Sequence, residues 1–189
     1  MKNRFLVILV ILLAGCAYSP QQITVSPVIN TETESYGAGR GLTISVEDAR
    51  SNKALGSRGG TYKDTSLITI DNGLEQAIKR VAKAEFAVQG FNVNTSEADT
   101  SSVAVIVNTL NYDMRKKTVG KTIYLAAVLQ VVATVGNETY TRKYKTNTSH
   151  KTAMTPGMAQ NEEMINDILS KTLVRLFSDP ELKTFLSNI

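Results

Sequence analysis

The side chain best suited to chemistry in this sequence is the thiol of Cys16, the single cysteine among 189 residues. It closes a Leu-Ala-Gly-Cys tetrad at 13–16, and the tetrad follows Lys2, Arg4 and an apolar run over 5–13. Basic residues, a short apolar run and then small residues are the marks of a secretory signal peptide. The run is too short to span a bilayer, which needs about 20 apolar residues. The tetrad resembles a bacterial lipobox, in which cleavage leaves the cysteine as a lipid-bearing N-terminus.

We therefore predict a lipoprotein signal peptide over 1–15 and lipidation of Cys16 by a diacylglycerol and an N-linked acyl chain, with palmitate among the expected lipids. More than one acyl chain gives stable anchoring where one gives marginal binding. A plain signal peptide whose cleavage site contains a cysteine is the alternative. Cleavage also removes Lys2 and Arg4, which lowers the formal net charge from +4 to +2. With its cysteine carrying lipid, the mature chain has no disulfide and no cysteine metal site.

The other residue types that do chemistry are poorly arranged for it. His150 is the only histidine, which excludes a histidine-based triad or a two-histidine metal site within one chain. Residues 119–122 resemble the end of a phosphate-binding loop, but Arg115 takes the place of its first glycine and the run that follows is typical of a strand. The adjacent Glu162 and Glu163 point apart on a helix. We therefore predict no metal, no cofactor other than the covalent lipid, and no enzyme.

Asp48 and Arg50 stand two residues apart at the end of a predicted strand. Residues at this spacing face the same side of a strand, so they are placed to form an ion pair. We interpret the pair as structural, holding the turn that follows. A role at the rim of a binding site is the alternative.

A cluster of basic residues offers a sharper hypothesis. The Gly-Asn dipeptide at 136–137 has the composition of a two-residue hairpin turn. Such a turn places Lys121 opposite Thr152 and brings the end of the hairpin near the basic loop at 115–117. A cation patch there would bind lipid phosphates or an acidic partner; nucleic acid is not an expected ligand in the periplasm. A solvated loop kept soluble by its charge is the alternative. The predicted patch consists of Arg115, Lys116, Lys117, Lys121 and Lys151.

The elements that would position these residues follow from hydrophobic periodicity. Alternating or continuous apolar runs predict five strands, and stripes of apolar residues at helical spacing predict two main helices, with a further short helix after Asp179 and Pro180. The order β-β-α-β-β-β-α predicts an α+β domain with a mainly antiparallel sheet and helices on one face. The predicted strands are 42–46, 66–70, 103–107, 123–135 and 139–149; the helices are 73–90, a last one with its apolar face over 164–177, and 180–188.

The segment between Cys16 and the first strand is polar and rich in turn residues. Such a composition buries too little apolar surface to offset its ordering entropy, so we predict a flexible tether over 16–40 with a mean span of about 27 Å. Within it, the alternation at 23–26 is typical of a short edge strand. The remaining residues, 41–189, are predicted to form a single periplasmic domain.

The strand over 123–135 is apolar on both faces. Tyr124, Val128 and Val132 alternate with the residues of the other face, so they would form an apolar patch on the side of the sheet away from the helices. An exposed patch of this kind marks a partner surface. Burial under the tether or under a helix is the alternative.

Short motifs along nearly the whole chain resemble the YajG-like family of bacterial lipoproteins. They are the lipobox, the tripeptide at 25–27, the strand end at 48–50, the dipeptide at 55–56 and the segment at 179–182. The resemblance implies an uncharacterised outer-membrane lipoprotein of Gram-negative bacteria, anchored in the periplasmic leaflet, and it carries no catalytic residues. Ala17 agrees with this location, because Asp at that place is the usual signal for inner-membrane retention.

Two functions stay open from the sequence. The first is a non-enzymatic module that binds an envelope protein or anionic lipid and helps to assemble an envelope complex. The second is a periplasmic ligand-binding protein or hydrolase acting on cell-wall or lipid material. An exposed apolar sheet face favours the first, and a pocket of convergent carboxylates would favour the second.

Overall fold

The computed structural model describes residues 18–31, 34–60, 62–94 and 101–187. The predicted signal peptide and Cys16 lie outside these residues. Three helices are described: α1 (Leu74–Val88), α2 (Met158–Phe177) and α3 (Pro180–Ser187). Seven strands form one sheet, namely β1 (Gln21–Ile23), β2 (Thr43–Asp48), β3 (Gly56–Ser57), β4 (Leu67–Ile70), β5 (Ser101–Lys116), β6 (Lys121–Val135) and β7 (Glu138–Thr152).

The α+β class predicted from the sequence is confirmed, but the predicted sheet is wrong in detail. The sheet is mixed, with the order β1-β4-β3-β5-β6-β7 and with β2 beside β5. Strands β5, β6 and β7 are antiparallel, whereas β2 and β3 run parallel to β5, and β1 runs parallel to β4. The short helix α3 confirms the further helix that the sequence predicts at 180–188 in addition to the two main ones. Hydrophobic periodicity carries no information on strand direction, and β1 and β3 are too short to show a period.

The sheet is built around β5, which is 16 residues long. Its first half pairs with β2 over 102–107, and its second half pairs with β3 at 112–113. The register of β5 against β6 shifts at Asn108, as in a β-bulge. Because of this shift, odd-numbered residues face the core before the bulge and even-numbered residues face it afterwards; Val107 and Leu110 are both fully buried.

The hairpin of β6 and β7 has the register predicted from the sequence. Val135 pairs with Glu138 across the turn, and Lys121 pairs with Thr152 at the far end. Gly136 adopts a φ of 57°, a left-handed conformation that glycine enters at little cost. The turn therefore determines which basic residues meet at the other end of the hairpin.

The helices pack on one face of the sheet around an aromatic cluster. The rings of Phe86 on α1 and Phe177 on α2 meet edge to face with centroids 5.2 Å apart, and Phe91 lies 5.9 Å from Phe86. On β6, Leu125, Ala127 and Leu129 are buried beneath the helices, while the alternate residues Ala126 and Val128 face the opposite side.

The segment predicted to be a flexible tether is packed against the domain where it is described, over 18–31 and 34–40. Strand β1 pairs with β4, and Ile23 and Val25 are fully buried. The predicted strand at 23–26 lies two residues too late, because the pairing with β4 covers Gln21–Ile23. Farther along, the backbone N–H of Gly37 donates to the carbonyl of Gln89 at the end of α1 (2.8 Å).

Beyond β1, the segment is held by a polar stripe on α2. The N–H groups of Thr24, Ser26 and Val28 donate to side-chain oxygens of α2 at 2.8, 2.7 and 3.0 Å. The acceptors stand four residues apart. Four residues of helix rise about 6 Å, and two residues of extended chain span nearly the same distance. Every second N–H of the segment therefore lies opposite an acceptor on α2. The acceptors are Glu162, Asn166 and Ser170.

We predict that Asn166→Ala lowers the free energy of unfolding by about 1–2 kcal/mol, because it removes two hydrogen bonds. Asn166 accepts from Ser26 N–H at 2.7 Å and donates to the carbonyl of Thr24 at 3.1 Å. The neighbouring Asp167→Ala is the control, since it removes only a surface ion pair with Lys171 and should change the value by less than about 0.5 kcal/mol. Denaturant unfolding measures both. Equal effects would show that the stripe does not hold the segment.

Candidate functional site

The structure places the side chains of Asp48 and Arg50 in a bidentate ion pair. Asp48 accepts from Arg50 Nε at 2.8 Å and from Nη2 at 3.0 Å, and Lys53 Nζ lies 3.1 Å from the same carboxylate. Although burial acts to raise it, hydrogen bonds from Arg50 and Lys53 lower the pKa of Asp48 to about 2. A carboxylate held ionised in this way stabilises the turn after β2 and is unsuited to proton transfer near neutral pH.

A cavity of about 620 Å³ next to this pair contains the carboxylates of Asp48, Asp71 and Glu75. Each of them has a structural partner. Glu75 Oε1 accepts from the N–H of Asp48 at 2.8 Å, and Asp71 Oδ2 accepts from the hydroxyl of Thr24 at 3.1 Å. These hydrogen bonds connect β2, α1 and the N-terminal segment.

The basic patch predicted from the sequence lies at the end of the sheet where β5 and β6 are joined. A cavity of about 730 Å³ here is lined by Arg115, Lys116 and Lys121. Lys117 follows in the turn, and Lys151 lines a neighbouring pocket together with His150. The structure therefore brings three of the five predicted residues into one cavity and leaves two beside it.

Individual contacts distinguish the members of the patch. Arg115 Nε donates to Asp113 at 2.8 Å, and its guanidinium lies 4.9 Å from the ring centroid of Tyr124. Lys121 Nζ hydrogen bonds to the hydroxyl groups of Thr155 and Tyr18. Arg115 and Lys121 are thus fixed by neighbours, whereas Lys116 and Lys117 are exposed at the strand end.

Three further residues lie at this end without a sequence pattern that predicts them there. Tyr18 lies between two cations, with Arg58 5.3 Å and Lys121 5.2 Å from its ring centroid. Lys63 lines the same cavity. Arg58 directly follows β3, and Lys63 lies in the loop after it. A strand of two residues is too short to show an alternation of apolar and polar residues, so its position could not be predicted from the sequence.

The apolar patch predicted on β6 lies on the sheet face away from the helices, which we call the open face. Tyr124 is 37% exposed, and Val128 and Val132 are partly exposed. The predicted alternative, burial under the tether or a helix, does not hold for the described residues, because the segment 18–31 and the helices lie on the other side. The neighbours of these residues on the adjoining strands are Asp113, Thr109 and Ala104 on β5 and Ser149, Lys145 and Thr141 on β7.

A second polar cluster joins β7 to the start of α3. Asp179, 5% exposed, accepts hydrogen bonds from Tyr140 Oη at 2.8 Å, from Arg142 Nη1 at 3.1 Å and from the hydroxyl of Tyr144. It also accepts from the N–H of Glu181 at 3.1 Å, which caps α3. Although burial acts to raise it, these hydrogen bonds hold the pKa of Asp179 below its ordinary value. The cluster is a buried structural network.

Over 18–31, 34–60, 62–94 and 101–187, no three His, Cys, Asp or Glu side chains are grouped so as to hold a metal ion. Within the same ranges, no helix is both long and apolar enough to cross a membrane.

Taken together, the fold and its surfaces define a small α+β sheet domain with one helix-covered face, one open face and a basic end. Residues 27–187 match a family described as uncharacterized lipoprotein, so the chain belongs to that family. This confirms the resemblance drawn from the short motifs.

The chain is similar to individual members and to a solved structure. It is 23% identical to the uncharacterized lipoprotein YajG of Escherichia coli strain K12 over 190 residues, which cover 98% of this chain and 96% of that protein. The YajG of Escherichia coli O6:H1 matches to the same extent. The crystal structure of protein XCC0632 from Xanthomonas campestris aligns with a TM-score of 0.61 at 7% identity, covering 88% of this chain and 98% of that one. This last likeness concerns the fold alone.

Proposed function

We propose that the protein is an outer-membrane lipoprotein, anchored through Cys16 in the periplasmic leaflet, and that its domain is a non-enzymatic module for binding an envelope protein. The open face of the sheet is the binding surface. The observation that carries this proposal is the partly exposed apolar row on β6, formed by Tyr124, Val128 and Val132 on the side away from the helices.

The surroundings of this row support a protein partner. Protein interfaces combine an apolar centre with a polar rim, and aromatic residues and Arg are enriched in them. Lys143 and Lys145 lie along the β7 side of the open face, and Asn111 and Asp113 lie along the β5 side. The guanidinium of Arg115 packs against the ring of Tyr124 at the end of the row nearest the basic patch. The row therefore has a mixed polar rim on both long sides.

The alternative, a periplasmic ligand-binding protein or hydrolase, lacks a comparable observation. The cavity that contains three carboxylates uses all of them in structural contacts, and Asp48 is held ionised by Arg50. A hydrolase needs a group that exchanges a proton in the working pH range. The non-enzymatic module is therefore the function that the geometry supports best.

The test is a charge placed in the centre of the apolar row. We predict that Val128→Glu abolishes the chemical crosslinks that the full-length protein forms in intact cells, because a carboxylate in the centre of an interface is costly to desolvate even with Lys145 opposite it. Lys79→Glu, exposed on α1, is the matched control and should leave the crosslinks unchanged. Thermal unfolding of both variants shows that the fold persists. Crosslinks that survive Val128→Glu would remove the open face as the binding surface.

A further inference from the structure

The basic end of the molecule lies next to the residue that we propose carries the lipid. The basic end comprises three segments, 58–65, 113–121 and 151–158, which the strand pairings bring together. Ser57 pairs with Asp113, and Lys121 pairs with both Lys116 and Thr152. Tyr18 packs between Arg58 and Lys121 within it. Tyr18 is two residues after Cys16, so their Cα atoms are at most about 7.6 Å apart.

The charge of the basic end differs from that of the rest of the chain. Its three segments contain seven basic residues and two acidic ones, whereas the whole mature chain has a formal net charge of only +2. The remainder of the mature chain is therefore net negative. One of the two acidic residues, Asp113, is paired with Arg115. The basic residues are Arg58, Lys63, Arg115, Lys116, Lys117, Lys121 and Lys151.

Exposed apolar side chains are grouped at the same end. All four of these side chains belong to the three segments. Val119 is 91% exposed, Met154 78%, Tyr62 70% and Met158 54%. Gly120 approaches the backbone of Thr152 so closely that a Cβ there would lie 2.6 Å from its carbonyl oxygen, which places the turn of Val119 against the loop of Met154. Basic groups interleaved with exposed apolar and aromatic side chains are the composition of surfaces that lie on anionic membranes.

We propose that the basic end docks on the phosphate groups of an anionic phospholipid bilayer and holds the anchored domain directly on the membrane. The inference rests on the proposed lipidation of Cys16. Two observations favour a bilayer over a small free phosphate: three of the seven basic residues, Arg58, Lys117 and Lys151, do not line the cavity that the other four share, and the exposed apolar side chains beside them suit the acyl region. A polar tether would leave the domain free to rotate, whereas the packed segment from Tyr18 onward allows this end alone to face the membrane.

The experiment measures how deeply two opposite ends of the domain lie in a membrane. Because lipid blocks the thiol of Cys16, Val119→Cys or Asn137→Cys provides one free thiol for a fluorescent label on the full-length lipidated protein. Val119 is in the basic end and Asn137 is in the hairpin turn at the opposite end of β6. The labelled proteins are placed in vesicles of phosphatidylcholine, with or without phosphatidylglycerol, that contain a quencher attached to the lipid.

We expect the label at position 119, and not the label at 137, to be quenched in vesicles with phosphatidylglycerol, and quenching to fall as salt is added. Each basic residue near an anionic surface contributes about a fivefold factor, so Lys116→Gln with Lys117→Gln should lower the docked-to-undocked ratio by about 25-fold. The matched control, Lys79→Gln with Arg80→Gln on α1, should leave the ratio unchanged.

The outcomes separate this inference from the proposal beneath it. Docking would be overturned if the labels at 119 and 137 were quenched equally. It would also be overturned if quenching were the same without phosphatidylglycerol or after substitution of the two lysines. The lipid anchor would stand in both cases. Docking that inorganic phosphate displaces at low concentration, with salt of equal ionic strength inactive, would show a phosphate pocket and would also overturn it. Protein that fails to float with pure phosphatidylcholine vesicles would contradict the anchor itself, and the inference with it.

Discussion

Replacing Cys16 by Ser, with residues 1–15 exchanged for an ordinary secretory signal peptide that is cleaved without a lipobox, is expected to move the protein almost completely from the membrane fraction to the soluble periplasmic fraction. The sequence has no other cysteine and, over 18–31, 34–60, 62–94 and 101–187, no helix suited to span a bilayer. Each buried CH₂ group of an acyl chain contributes about 0.8 kcal/mol of membrane affinity, so losing several chains removes far more than the basic end can restore. Cell fractionation followed by immunodetection measures the distribution.

The matched variant for this prediction is Ala17→Asp, which keeps the cysteine and changes the neighbouring residue. It should leave the protein attached to a membrane but move it from the outer to the inner membrane, because Asp at this place favours inner-membrane retention. A Cys16→Ser protein that remained in the membrane fraction would contradict lipid anchoring. An Ala17→Asp protein that remained in the outer membrane would contradict only the sorting.

Replacing Asp179 by Ala is expected to lower the free energy of unfolding by about 2–4 kcal/mol, because it leaves the buried hydroxyl of Tyr144 unsatisfied and removes the N-cap of α3. The carboxylate accepts from Tyr140, Tyr144 and Arg142 and caps α3 through the N–H of Glu181. Without it, the buried hydroxyl of Tyr144 loses its acceptor. Denaturant unfolding at neutral pH measures the change.

The pH dependence of stability tests the charge of Asp179 separately from its hydrogen bonds. Its pKa is lower in the folded protein than in the unfolded chain, so its stabilising contribution is present above the unfolded pKa and is lost as pH falls through the folded pKa. Asp179→Asn keeps an oxygen at the N-cap and removes the charge. This variant should therefore lose less stability than Asp179→Ala at neutral pH and show a shallower fall in acid. A fall as steep as that of the unchanged protein would contradict the ionised network.

The elements that the sequence predicted well are those with long local patterns. The apolar stripe of α1 and the Gly-Asn turn at 136–137 are local signals, and the turn determines the pairing of Lys121 with Thr152 fifteen positions away on each strand. The basic loop at 115–117 was therefore placed correctly relative to the hairpin. The local preferences of these segments agree with the tertiary structure, so the folded protein contains the elements that they predict.

What the sequence did not reveal depends on contacts between distant segments. The parallel pairing of β2 with β5 and the position of β3 are set by tertiary packing, so Arg58 and Lys63 were not associated with the basic patch. The segment before residue 41 was interpreted from its composition alone. It is ordered where described because side chains of α2, such as Glu162 and Asn166, accept its backbone N–H groups.

This correction changes the expected position of the domain. A flexible tether over 16–40 would have separated the domain from the membrane by about 27 Å on average. Because the chain is packed from Tyr18 onward, the lipid that we propose on Cys16 would be attached two residues from a residue of the basic end. If the basic end docks as we propose, the open face on β6 stands beside the membrane surface, within reach of proteins embedded in or bound to the same membrane.

The central claim is that the open face binds an envelope protein, and position-specific photocrosslinking in intact cells tests it most directly. A photoreactive residue is introduced singly at Val128 on β6, Ala104 on β5 or Lys145 on β7, which share the open face, and at Lys79 or Lys171 on the helices. We predict that the three sheet positions form an adduct with the same protein and that the two helix positions do not. Adducts formed equally from the helix positions, or from none of the sheet positions, would contradict the claim.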